Sequence, residues 1–323
     1  MKNETRLIET APGIRLSVEV AGAIDAPLLI LMHGWPELGH SWRHQVGPLA
    51  RAGYRVAVPD MRGYGGSSKP DRIEAYTTDT MADDMAAIAR ALGAVRWAAV
   101  GHDWGAPVAW RCALRFPEQV AAIFSLSNTH GVVPRGDYAS KADAVYPDRF
   151  FYVRYFQEIG PAEAELEADP RAALKQIFFA LSGDAPQGEW TKIRPRDSLL
   201  LPGLIEPPAG PLSFMSEADL DFYAAHYGAG GFFGPLSWYR NNPTNARDAL
   251  AYGDQRVTQP AGFLCGSKEI LLTMVPDGLD QMRGACDRLL SETILPGAGH
   301  WIQQERPTEV TEALLGFLKA AAF

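Results

Sequence analysis

The stretch AAVGHDWG, Ala98–Gly105, has the pattern of a buried strand that turns at once into a helix. Its first half is apolar without alternation, as in a strand covered on both faces, and Ala106–Phe116 beyond it has helical spacing and stops at Pro117. The turn itself reads small-x-acid-x-small: Gly101, His102, Asp103, Trp104, Gly105. So sharp a turn brings backbones close, which calls for glycine at the flanks and strains the central residue. Serine is the usual central residue, yet G-x-S-x-G occurs nowhere in the chain. A carboxylate in that place can attack carbon directly and form a covalent ester. The competing reading of Asp103 is a plain helix N-cap, a position Asp favours.

Outward from this turn, Ile14–Val20, Pro27–Met32, Arg55–Val58 and Val120–Leu126 read as strands. Thr78–Leu92 reads as a helix, with Met81, Met85, Ile88 and Leu92 at three- and four-residue steps. Strand, helix, strand in this order implies right-handed crossovers and a mostly parallel sheet. From about Gly131 to Asn245 the β patterns vanish, and helical, aromatic-rich stretches interrupted by Pro202, Pro207, Pro208, Gly210 and Pro211 take over. Ala261–Gly266 and Glu292–Leu295 then return as strands, and Pro307–Leu318 closes the chain as a helix. The expected fold is α/β: a core of residues 1–130 and 246–323, with a helical cap of residues 131–245 inserted after a central strand. Such an insertion covers the carboxyl ends of the strands, where sites of open α/β folds lie.

Composition narrows the function classes. With 47% hydrophobic and 21% charged residues over 323 positions, the chain can bury a full core. Its formal charge of -8 and the lack of any dense basic run argue against nucleic acid and anionic membrane as partners, while a homodimer is compatible with that charge. The apolar run at Ala26–Met32 is too short to span a bilayer, and Met1–Thr10 has no apolar leader segment. Cys112, Cys265 and Cys286 are odd in number and not at metal-ligand spacing, as for reduced thiols in a cytoplasmic protein.

Near the C-terminus, LPGAGHW places His300 in a glycine-rich loop between a strand and the last helix. An ester on Asp103 must be hydrolysed, and a neutral imidazole can deprotonate the attacking water. An acid to orient it is expected after the strand ending at Gly266, where Glu269 stands; Asp277 and Asp280 are rivals. His33-Gly34-Trp35-Pro36 follows another strand. Its Trp35 N–H, with that of Trp104, would face the oxyanion of an attacked carbonyl. His33, beside a turn glycine, reads as structural, and Pro59–Ser68 as a structural glycine-rich turn.

These segments together resemble the α/β-hydrolase superfamily, and more closely the epoxide hydrolases, in particular the hydrolase domain of the soluble ones. The likeness extends from about Ile14 to Leu318 and includes two stretches of the insertion, from Phe151 through Glu158 and from Gly234 through Asn241. It implies a nucleophile–base–acid set of Asp103, His300 and Glu269, although the acid is more often Asp in that family. It also implies two cap tyrosines over the nucleophile, matching Tyr152 and Tyr239, with Tyr155, Tyr223 and Tyr227 as rivals by position. Two phenols suit the ring oxygen of a small-molecule epoxide, because an opening epoxide makes an alkoxide that needs a proton. No cofactor and no metal are implied. Trp42, Phe151, Met215 and Trp238, with Trp104, are expected to line an apolar pocket around the nucleophile. The nearest rival chemistry is dehalogenation, in which the indole of Trp104 would bind halide; a non-catalytic receptor on the same fold is the rival from another class.

Overall fold

In a computed structural model of the chain, residues 4–130 and 147–323 are described, so the opening of the insertion, residues 131–146, lies outside the described residues. The strands are β1 (Glu4–Ala11), β2 (Ile14–Ala21), β3 (Leu28–Met32), β4 (Arg55–Pro59), β5 (Trp97–His102), β6 (Val120–Leu126), β7 (Val257–Gly266) and β8 (Cys286–Leu295). They form an 8-stranded sheet in the order β1-β2-β4-β3-β5-β6-β7-β8. The β1–β2 hairpin and the β2–β4 pair are antiparallel; every pairing from β4 to β8 is parallel.

The continuous apolar runs of β3, β4, β5 and β6 are buried at every residue, because both faces of the sheet are covered. The period of two is visible in the packing. Leu28, Ile30 and Met32 enter one cluster with Met81, Met85 and Val108, while Leu29 and Leu31 enter a second with Val46, Leu49 and Leu314. Helix α1 (Arg43–Arg51) and the last helix, α13 (Pro307–Ala320), belong to the second side; α2 (Thr78–Ala91) and α3 (Gly105–Arg115) belong to the first. Helix α2 starts where the Thr77 side chain accepts the Thr80 N–H at 3.1 Å.

Three strands depart from the sequence reading, and of these β7 begins at Val257, four residues ahead of Ala261. Strand β1 has no buried run to reveal it, since it is a half-exposed edge strand with the pattern ETRLIETA. Strand β8 begins at Cys286 and not at Glu292; as the other edge it carries charged and exposed residues along its first half.

Between β6 and β7 the described chain is helical: α4 (Tyr152–Tyr155), α5 (Pro161–Ala168), α6 (Pro170–Ala180), α7 (Glu217–Gly230), α8 (Phe233–Arg240) and α9 (Asn242–Ala249). Their apolar faces extend the first cluster through Phe156, Phe178, Tyr223 and Trp238. Polar bonds fasten them to the sheet side. The Trp238 indole donates to the Arg62 carbonyl at 3.1 Å, and Tyr223 and Ser41 share a hydroxyl bond of 2.7 Å. The short helices α10 (Ile270–Met274), α11 (Gly278–Ala285) and α12 (Ile302–Glu305) complete the C-terminal part. Among the described residues no helix is long and apolar enough to cross a membrane, and Cys112, Cys265 and Cys286 are free and buried.

The strand-to-helix turn is the tightest point of this packing. A Cβ on Gly101 would run into the Gly105 carbonyl, and one on Gly105 into the Met32 carbonyl. Gly101→Ala is therefore expected to lose about 3 kcal/mol of stability through forced backbone movement. Gly316→Ala, in α13 with open space around it, should instead gain about 1 kcal/mol. Urea unfolding of both variants checks the contrast; equal effects would remove the steric argument.

Candidate active site

The carboxyl ends of β5, β3, β7 and β8 bring the candidate residues together. Asp103 sits in the turn between β5 and α3 with a φ of 48°, in the left-handed region that a residue with a Cβ avoids. The conformation is held from several sides. The Asn128 side chain donates to the Asp103 carbonyl at 2.8 Å, and Gly34 lies so close that a Cβ there would meet the Asp103 carboxylate. The Trp35 N–H donates to Asp103 Oδ1 at 2.7 Å. One carboxylate oxygen is thus spent on a backbone donor, and the other, Oδ2, lies 3.5 Å from His300 Nε2. Trp104 follows as the N-cap of α3.

His300 hangs in the loop after β8, its N–H bonded to the Leu181 carbonyl of the insertion at 2.9 Å. Its Nδ1 meets both oxygens of Glu269, at 3.0 and 2.9 Å. Asp277 and Asp280 are not near: the first bonds Gln281 beside α11, and the second pairs with Arg283 at the surface. Burial lowers the His300 pKa, but the carboxylates of Glu269 and Asp103 outweigh it and hold the group well above its ordinary value of 6.5. Burial would raise the acid, yet the imidazolium beside it keeps Glu269 below its ordinary 4.5.

The two tyrosines face each other, ring centroids 5.9 Å apart and nearly perpendicular. Tyr239 also abuts Trp35 at 5.8 Å, whose N–H binds the Asp103 carboxylate, and Trp104 at 5.1 Å, the residue that follows Asp103. Burial first, and then the Asp103 charge, push the Tyr239 phenol well above its ordinary value, so it stays protonated near neutrality. Against that trend works a hydrogen bond from the Trp104 side chain. The rival tyrosines are occupied elsewhere. Tyr155 donates to Glu165 at 2.9 Å, Tyr223 bonds Ser41, and Tyr227 donates to the Glu37 carbonyl at 3.3 Å.

Phe151 packs on Tyr152 at 5.3 Å, Trp238 on Trp104 at 6.1 Å, and Met215 is buried in the same cluster just ahead of α7. Trp42 is placed elsewhere: it belongs to the second cluster, across the sheet with Val46 and Leu49, so it lines no pocket at Asp103. Spacing alone could not tell which face a residue ahead of α1 would take. His33 is structural, its Nδ1 donating to the Gly34 carbonyl and its Nε2 accepting the Met61 N–H, each at 2.9 Å.

Sequence reasoning missed a buried polar network behind the turn. His102 Nδ1 meets Glu37 at 2.7 Å and its Nε2 meets the His300 carbonyl at 2.7 Å. Gln303 and Gln304 donate to the other oxygen of Glu37, and His102 beside it draws the Glu37 pKa down to about 2 despite burial. The only signal was His102 inside the turn motif itself. Also missed were Trp190, whose ring lies 5.3 Å from that of Tyr152, and Glu305. The Glu305 carboxylate accepts the N–H groups of Gly183, Gly299 and Trp301 at 2.9, 2.8 and 3.0 Å, which binds the insertion to the His300 loop. Among the described residues no group of three His, Cys, Asp or Glu side chains is gathered as a metal would need.

This geometry has known counterparts. A family model for the alpha/beta hydrolase fold matches residues 27–307. Epoxide hydrolase A of Mycobacterium tuberculosis is 39% identical, over 97% of this chain and 96% of its own. The chain belongs to the epoxide hydrolases of the α/β-hydrolase fold. Within this family it is 34% identical to an epoxide hydrolase of Caballeronia sordidicola, over 95% of this chain and 91% of that one. The crystal structure of epoxide hydrolase A from Mycobacterium thermoresistibile superposes with a TM-score of 0.91 at 37% identity, covering 98% of both chains.

The His300–Glu269 pair has a definite linkage to pH. A raised His300 stabilises the fold fully below 6.5 and less as pH rises through its folded value. A lowered Glu269 stabilises it fully above 4.5 and less as pH falls through its folded value. Glu269→Gln should therefore cost the most stability between those limits, about 2 kcal/mol, with the difference shrinking on either side. Unfolding midpoints across pH test this; a difference independent of pH would show that the pair is not ionised in the fold.

Proposed function

We propose that this family member hydrolyses small apolar epoxides to vicinal diols through an ester on Asp103. Asp103 Oδ2, the oxygen not engaged by Trp35, attacks an epoxide carbon in line as the opposite C–O bond breaks. Tyr152 and Tyr239 hold the ring oxygen, and one of them gives it a proton, leaving a phenolate and a hydroxyalkyl ester. Ester formation removes the Asp103 charge, and with it part of what holds His300 protonated, so the imidazole becomes a base at the step that needs one. Water loses a proton to His300 and attacks the ester carbonyl, whose oxygen is the one the Trp35 N–H already binds; Trp104 N–H is the second donor. Collapse breaks the acyl–oxygen bond. The two protons of that water replace the phenol's and complete the diol's second hydroxyl.

The observation that carries this reading is the edge-on contact of Tyr152 with Tyr239, which lies within the field of the Asp103 carboxylate, with their rivals bonded elsewhere. Dehalogenation fits less well, because a halide needs N–H donors and no proton, whereas the Tyr152–Tyr239 pair offers O–H groups. Residues 147–245 act in this scheme as a cap that keeps bulk water from the ester. Buried, reduced cysteines accord with work in the cytoplasm.

In one turnover with enzyme in excess in heavy-oxygen water, the label should enter the peptide that carries Asp103. Label found only in the diol would refute the ester. Side by side, styrene oxide should yield diol while an alkyl bromide yields no bromide; Asp103→Ala should abolish turnover, a loss of at least about 10⁴-fold, without unfolding the protein.

A further inference from the structure

Arg240 follows Tyr239 at the C-terminal end of α8, and only 2% of its side chain is exposed. Its guanidinium reaches back to the segment that carries the other phenol. Nε donates to the Phe156 carbonyl at 2.9 Å, and one terminal nitrogen donates to the Glu158 carbonyl at 3.0 Å and lies 2.6 Å from Glu163 Oε1. The other Glu163 oxygen accepts the Gly160 N–H at 2.8 Å, which fixes the carboxylate at the start of α5. A second tie runs the opposite way: the Gln157 amide donates to the carbonyls of Val153, at 2.7 Å, and Tyr239, at 3.1 Å. Phe156 packs against both phenols, its ring 5.8 Å from Tyr152 and 5.0 Å from Tyr239.

Helix α4 is one turn long, and one turn has no stability of its own in water. Its position, and that of Tyr152 at its start, must come from tertiary bonds. A buried guanidinium is costly to desolvate and holds its place only when several acceptors meet it in a fixed fork. We propose that Arg240 is a positioning residue that sets the separation of Tyr152 and Tyr239, and so governs epoxide opening and not ester hydrolysis. The proposal rests on the reading of the two phenols given above. Opening needs both hydroxyls at one oxygen within a fraction of an ångström, whereas hydrolysis uses His300, Glu269 and water on the far side of the ester carbonyl.

The test is rapid-quench mass spectrometry of the Asp103 ester, whose build-up and decay give both rate constants. Arg240→Lys keeps the charge but not the fork, and Arg240→Met removes both; circular dichroism checks each fold, and the lysine variant carries the test should the methionine variant not fold. Ester formation is expected to slow on the order of tenfold to a hundredfold, with hydrolysis of the ester unchanged to within about twofold. Equal slowing of both steps, or of neither, would overturn the proposal. Tyr152→Phe and Tyr239→Phe run in parallel. If they leave ester formation untouched, the reading of the phenols fails; if they slow it while Arg240→Lys does not, only the role of Arg240 fails.

Discussion

Asp103 is held in a backbone conformation that it would leave if free. A left-handed residue with a Cβ costs on the order of 1–3 kcal/mol and persists only when its surroundings over-determine it. Here the glycines at 101 and 105 let β5, β3 and α3 close on one another, Asn128 holds the carbonyl, and Trp35 holds one carboxylate oxygen. The strain and the site are the same fact. A relaxed turn would swing the carboxylate away from the Trp35 N–H and His300 together, and would unseat the first residues of α3.

Two carboxylate–imidazole pairs lie one behind the other at this turn. The front pair, Glu269 with His300, faces Asp103; the rear pair, Glu37 with His102, bonds the carbonyl of His300 from behind. The residue before Asp103 thereby fixes the loop that carries His300. Position 102 serves the relative placement of β5 and the loop after β8, and in the proposed reaction position 103 serves the chemistry.

Most of the parallel sheet was legible, because strands buried on both faces are continuous apolar runs. The edge strands were not: β1 and the first half of β8 carry the polar and charged residues that exposure permits. Asp103, His300 and the Trp35 turn could be read because each needs a glycine neighbourhood that leaves a mark on the sequence. Tyr152 and Tyr239 came only through a family resemblance, since nothing in a local aromatic pattern separates them from Tyr155 or Tyr223. Trp42 went to the wrong side of the sheet, because its direction depends on how the turn ahead of α1 packs. Glu37, Gln303 and Gln304 are far apart along the chain and gain meaning only where three loops converge.

Glu305 closes that convergence. Burial raises its pKa even though three backbone N–H groups bond it, two from the His300 loop and one from Gly183 just beyond α6. With the Leu181 carbonyl bonded to the N–H of His300, that end of the insertion is tied directly to the loop of the imidazole. Hinging the insertion open there would carry the imidazole off its carboxylate partner. Loosening the α6 end and disturbing the His300 loop are one event in this fold, joined by the Leu181 carbonyl and the Glu305 carboxylate.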